Sequence, residues 1–246
     1  MAMQGVPTVK KKLELLEQLQ GADKGIDEQQ AAQNEHRVAI SRLEGDLAVL
    51  QQTVVERQEE MATLRQEKAA LEAALHTEQE NIRRSETNMK EIRTNKEFQA
   101  VGREITSARK QVADIEDQLL QLVSRMDELQ ATLDSLLSEC TTSEATTTQD
   151  IAEMQQAIDS LQQAIDSAVA GREAIAKSLG SNLVRRYNQL REQRRGQALA
   201  EARDGSCTGC NMQLPPQLYN TLFKAEEIFF CPHCQRILIL KQEQPS

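Results

Sequence analysis

No proline occurs between Pro7 and Pro215. A globular fold of that length must reverse direction many times, and its turns recruit proline and glycine. Long helices satisfy the constraint more simply. Composition agrees: aromatic residues make up 2% of the chain, Trp is absent and charged residues make up 27%. The apolar content is mostly Leu, Ile, Val and Ala, which suits a narrow seam better than a large core.

A seven-residue apolar repeat carries the argument further. In residues 40–92 the seam positions include Ile40, Leu43, Leu47, Leu50, Val54, Met61, Leu64, Leu71, Leu75 and Ile82. The residues between them are mostly Glu, Gln, Arg and Lys, the pattern of a coiled-coil seam. The register breaks at Thr94-Asn95-Lys96-Glu97 and restarts at Phe98 and Val101, continuing through Ile105, Val112, Leu119, Leu129, Leu133 and Leu136 to Cys140. A short polar break between two seams predicts a turn near 94–97 joining antiparallel helices, with Thr94 or Asn95 as the cap of the second. The predicted helices, roughly residues 9–93 and 97–179, are of equal length, about 125 Å each if straight. Equal arms favour a hairpin within one chain, with Leu179 returning to the start of the first helix. A monomeric hairpin and a dimer of rods both satisfy the repeat.

Two stretches are weaker. Thr and Ser crowd residues 141–150, where helix propensity is poor, and the repeat resumes at Ile151, Met154 and Ile158 shifted by four residues, a stutter. On the first helix, Gly21, Gly25 and the polar seam residues Gln29, Gln33 and His36 predict a bend or a looser region. Gly180-Ser181-Asn182 reads as a helix stop and a new cap, followed by a final short helix over residues 183–193. The division predicted is a hairpin over residues 1–195 and a zinc ribbon over 196–246.

The ribbon rests on the cysteines. Cys207-Thr208-Gly209-Cys210 is followed after twenty residues by Cys231-Pro232-His233-Cys234. Two such pairs are the spacing of a four-cysteine zinc ribbon, each pair on a tight turn that aims both thiolates at one ion. Soft thiolates select zinc or an iron–sulfur centre over hard cations. With all four positions filled by Cys207, Cys210, Cys231 and Cys234, one Zn2+ is expected in a structural role with no open site for substrate. Strands are expected near residues 197–203, 228–230 and 237–240, and a helix over 218–224. His233 and His76 are expected to face solvent, His36 to sit on the seam and Cys140 to be buried as a small hydrophobe.

The residues 205–217, with Tyr219, Asn220 and the segment from Cys231 to Leu238, resemble the ribbon of the bacterial C4-type zinc-ribbon family, formerly a domain of unknown function. The segment Asn95-Lys96-Glu97-Phe98-Gln99-Ala100 resembles that family's hairpin turn. The resemblance implies a mainly α fold, a long antiparallel coiled-coil hairpin followed by a small C-terminal four-cysteine zinc ribbon, without catalytic activity. It also implies an adaptor or chaperone role, with partners among other proteins such as an alternative sigma factor or flagellar and type III export components.

The residues themselves support protein binding and leave a nucleic-acid-binding alternative. No P-loop, dinucleotide fingerprint or Ser/His/Asp grouping occurs, so no enzyme is expected. The net charge of −9 opposes non-specific nucleic-acid binding by the whole chain. Yet residues 83–110 hold eight Lys/Arg against four Glu, and residues 183–204 hold six Arg against three acidic residues. Leu214, Tyr219 and Phe223 are the expected apolar anchors of the ribbon. The apolar runs are too short to span a bilayer and Met1 to Lys12 has no apolar h-region, so a cytoplasmic protein is expected.

Overall fold

A computed structural model describes residues 8–224 and 226–240; the expectations for residues 1–7, 225 and 241–246 lie outside these. The elements in order are α1 (Val9–Met89), α2 (Asn95–Leu179), α3 (Ser181–Gln193), β1 (Leu199–Arg203), β2 (Ser206–Cys207), α4 (Pro216–Leu222) and β3 (Ile237–Ile239). The mainly α hairpin and the small four-cysteine C-terminal region are as expected. Two compact units divide the chain: residues 40–152, and residues 1–39 together with 153–246.

In the unit of residues 40–152, α1 and α2 pack through their seam residues. Met61 and Leu64 meet Leu129 and Leu133, with Leu122 and Met126 alongside. The antiparallel register is marked at its flanks by Arg125 on Glu60 (2.7 Å) and Arg109 on Glu86 (2.6 Å). Such exposed pairs select a register more than they add stability. The Glu60 carboxyl is held below its ordinary range by its hydrogen bonds to Arg125 and Arg57.

The turn differs in detail from expectation. α1 ends at Met89 rather than Arg93, and α2 starts at Asn95 rather than Glu97. Thr94 is the cap: its hydroxyl accepts the Glu97 N–H at 3.4 Å and donates to the Glu97 carboxylate at 2.6 Å, a variant of the capping box. Phe98, expected to open the second seam, is 49% exposed, and the first buried seam residue of α2 is Ile105. At the tip no further turn of helix lies opposite Phe98 to cover its ring. Thr94→Ala is expected to cost about 1 kcal/mol of local stability. Faster amide exchange in the first turn of α2, with no change near Leu129 and Leu133, would show it.

The Thr-rich stretch corrects the expected weakening. α2 runs through it unbroken, and Thr141, Thr142, Thr146 and Thr148 donate their hydroxyls to carbonyls four residues back, at 2.7–3.1 Å. Satisfied in this way, the hydroxyls do not compete for helix N–H groups. Thr147 is buried on the seam seven residues after Cys140, also buried, and partly buried Ile151 follows four later. The stutter is therefore present in the packing.

In the other unit, the polar seam is paired in part: Gln33 is bonded across it, whereas the buried Oε1 of Gln29 has no hydrogen-bond partner among the described residues. The Gln33 amide donates to the Ile158 carbonyl (3.1 Å) and to Gln162 Oε1 (3.0 Å). Closer to the ribbon, Leu16 and Leu19 of α1, Leu179 of α2, Tyr187 and Leu190 of α3, Leu199 of β1 and Ile237 of β3 form one buried cluster. The base of the hairpin and the ribbon's sheet thus share a core. Gly180, with φ of 85°, makes the kink before α3, and neither Ser181 nor Asn182 caps it, contrary to expectation.

The sheet has the order β2-β1-β3. β1 pairs antiparallel with β2 (Arg203↔Ser206) and parallel with β3 (Leu199↔Ile237). Asp204 and Gly205, with φ of 50° and 72°, form the two-residue β1–β2 hairpin turn that an Asp-Gly pair suits. Of the strand expected over residues 228–230, only a bridge from Phe230 to Ile237 forms.

Candidate metal centre

The two cysteine pairs fold as near copies. In the first, the Asn211 N–H donates to the Cys207 carbonyl at 2.7 Å; in the second, the Gln235 N–H donates to the Cys231 carbonyl at 2.8 Å. Asn211 and Gln235, each just after the second cysteine of its pair, are left-handed, with φ of 57° and 64°. This turn leaves backbone N–H groups facing sulfur: those of Gly209 and Cys210 toward Cys207, Met212 toward Cys210, and Arg236 toward Cys234.

Across the site, the Cys207 and Cys234 sulfurs are 3.8 Å apart and the Cys210 and Cys231 sulfurs 3.7 Å apart. All four lie within 4.8 Å of one another. A tetrahedral Zn–S length of about 2.3 Å requires sulfurs about 3.8 Å apart, so the donor set fits one structural zinc ion. Three sulfurs are buried and Cys210 is partly exposed. Burial pushes the Cys207 thiol up to about 12. Burial also raises Cys234, but the Arg236 N–H and neighbouring sulfurs outweigh it and bring that thiol down to about 7.

Arg236 ties the two halves together. From the second knuckle it donates to the Gly209 carbonyl of the first (2.6 Å) and to the Gln197 carbonyl (2.9 Å). Arg194 at the end of α3 donates to the Cys234 carbonyl (2.9 Å). A Cβ on Gly209 would meet Arg236 Cδ at 2.8 Å and Ala200 Cβ at 2.9 Å, so this knuckle position requires glycine. His233 is exposed and points to no ligand role. His76 is exposed and His36 half-buried.

A second polar centre, invisible in the cysteine spacing, lies at the hairpin base. Asp23 is 2% exposed. It accepts from Arg172 Nε (2.6 Å) and the Tyr187 hydroxyl (2.8 Å), with Arg191 at 3.7 Å. Arg191 also pairs with Asp27, and Arg172 with Asn188. Burial first, and then the bond to Asp23, push the Tyr187 hydroxyl far above its ordinary value. One signal was in the sequence: Arg172 stands seven residues after Ile165, where the seam calls for an apolar side chain.

The C4-type zinc ribbon family matches residues 206–238, and the CT398-like coiled coil hairpin family matches residues 19–195. The chain belongs to the CT398-like family. Among solved structures it is similar to CT398 from Chlamydia trachomatis, with 21% identity, a TM-score of 0.87 and coverage of 95% of this chain and 99% of that one. A Mycobacterium smegmatis protein gives 17% identity, a TM-score of 0.74 and coverage of 93% and 97%. The HP0958 protein from Helicobacter pylori gives 16%, 0.58, and 96% and 99%. At these identities the likeness establishes the CT398-like fold alone. No curated protein matches the sequence. Neither the hairpin nor the ribbon family is a typical enzyme family. No described helix is long and apolar enough to cross a membrane.

Proposed function

We propose that this CT398-like protein is a non-enzymatic cytoplasmic adaptor or chaperone that binds other proteins through its ribbon, with Cys207, Cys210, Cys231 and Cys234 holding the zinc. The supporting observation is Phe223, 64% exposed at the end of α4 with its ring edge-on to Tyr219 at 5.3 Å. Exposed Met212 lies on the same small domain. Large apolar side chains left in water on a domain with a filled coordination sphere suit docking better than chemistry. Leu214, expected as a third anchor, is buried in the ribbon core instead. The partner classes that the family resemblance offers are an alternative sigma factor and flagellar or type III export components.

The nucleic-acid alternative loses ground on the arginines of residues 183–204. Arg191 is engaged by Asp27, Arg194 by the Cys234 carbonyl and Arg203 by Glu201, while Arg186 lies over the Phe230 ring at 5.5 Å. These four are engaged within the chain, while Arg185 and Arg195 are exposed without an ion pair, a small patch for tracking phosphates.

Capture of partners from native cytosol tests the proposal. Phe223→Asp is expected to abolish most protein capture while zinc content stays unchanged, and capture by the unaltered chain should survive nuclease and high salt. Nuclease-sensitive capture that ignores Phe223→Asp would overturn it.

A further inference from the structure

The charges of residues 40–152 are separated along the hairpin. Near the tip, Arg84, Lys90, Arg93, Lys96, Arg103 and Lys110 are exposed and form no ion pair within the described chain; Glu91, Glu97 and Glu104, likewise exposed and without an ion pair, lie among them, so the tip keeps a basic excess. Further along α2, residues 126–152 contain six acidic side chains and no Lys or Arg. These are Asp127, Glu128, Asp134, Glu139, Glu144 and Asp150, all exposed and without an ion pair. The facing part of α1, residues 40–66, adds five acidic residues against three arginines, so it does not neutralise the stretch. Elsewhere on this unit opposite charges are paired locally, as at Arg42–Asp46, Lys68–Glu72 and Arg109–Glu86.

One copy cannot bring its own two patches together. Arg103 and Asp134 stand on one continuous helix, about 46 Å apart at the α-helical rise, far beyond the Debye length of about 8–10 Å. A second copy can. In an antiparallel pair related by a two-fold axis, the basic tip of each copy meets the acidic stretch of the other, and the same contact is made twice. We infer that this tip docks on the acidic α2 stretch of a second copy of the chain, forming an electrostatic antiparallel dimer. The surface is separate from the ribbon face assigned to other proteins. Complementarity of this kind sets register and encounter rate, and exposed pairs are individually weak, so the dimer should be sensitive to salt.

Sedimentation of the full-length, zinc-loaded chain decides it. The wild type should dimerise at low salt, and association should weaken at least about tenfold at several-fold higher ionic strength. A tip variant (Arg93→Glu, Lys96→Glu, Arg103→Glu) and a stretch variant (Asp127→Lys, Asp134→Lys, Glu139→Lys) should each be monomeric. Mixed in equal amounts they should dimerise again, because the reversed tip meets the reversed stretch and the native tip the native one. Helicity and zinc content, unchanged in both, would exclude misfolding. A wild type that stays monomeric at low salt, including one whose tip instead captures nucleic acid or an unrelated acidic protein, overturns the inference. So does a tip variant that dimerises as well as the wild type, or a mixture that stays monomeric.

Discussion

Cys207→Ser is expected to release the zinc and unfold the ribbon while leaving most of the helix intact. Cys207 is fully buried at the centre of a cluster with Ala200, Ala202, Leu214, Leu222, Cys231, Cys234 and Leu238. That is a small core, and its strands are two to five residues long. Structural zinc contributes about 10–16 kcal/mol in comparable small domains, as much as the whole stability of an ordinary domain, about 5–15 kcal/mol. Losing one thiolate of four removes enough of this to unfold so small a core. Zinc analysis should show substoichiometric metal, and limited proteolysis should cut beyond α3, while far-UV circular dichroism keeps its strong helical signal from α1 and α2. Full zinc content in the variant would refute the ligand assignment.

Asp23→Ala is expected to destabilise the unit that carries the ribbon by about 3–5 kcal/mol, the cost of leaving a buried partner uncompensated. Asp23 is the shared acceptor of Arg172 and Tyr187 and lies beside Arg191. Removing it leaves Arg172 Nε and the fully buried Tyr187 hydroxyl without their acceptor. Asp23→Asn keeps the shape without the charge and should cost less. The readout is amide exchange in α3 and the thermal midpoint of the base. A loss below about 1 kcal/mol would mean that the network is solvated and energetically minor.

The seam and the metal set were legible because each depends on spacing along the chain. A seven-residue repeat places Met61, Leu64, Leu129 and Leu133 on facing stripes whatever else the chain does, and two C-x-x-C pairs twenty residues apart have the spacing of one four-thiolate metal site. What depended on tertiary neighbours was harder to read. Leu214 looks like an anchor in sequence, but the bridge of Gln213 to Ser206 and the Leu214 N–H bond to the Gly205 carbonyl turn it into the ribbon core. Phe98 fits the repeat and still faces water, because the repeat does not say where the facing helix ends. The Thr-rich stretch has poor intrinsic propensity, yet the hydroxyls find carbonyls four residues back and the seam needs only Thr147. Asp23 lies on a helix flank, and nothing nearby in sequence announces that α3 will fold over it.

The cluster of Leu16, Leu19, Leu199 and Ile237 also bears on the order of events during synthesis. The tip and its two seams join residues near one another in the chain, so that part can form as soon as α2 is made. The base joins side chains more than two hundred residues apart, and β3 supplies its last piece after the second cysteine pair. Until Ile237 has left the ribosome, Leu16 and Leu19 lack part of their cover, and contacts of such long sequence separation are the slowest to form. The metal-binding end therefore matures after the tip, and a nascent chain stalled short of it would display an open, sticky base to whatever chaperones are near.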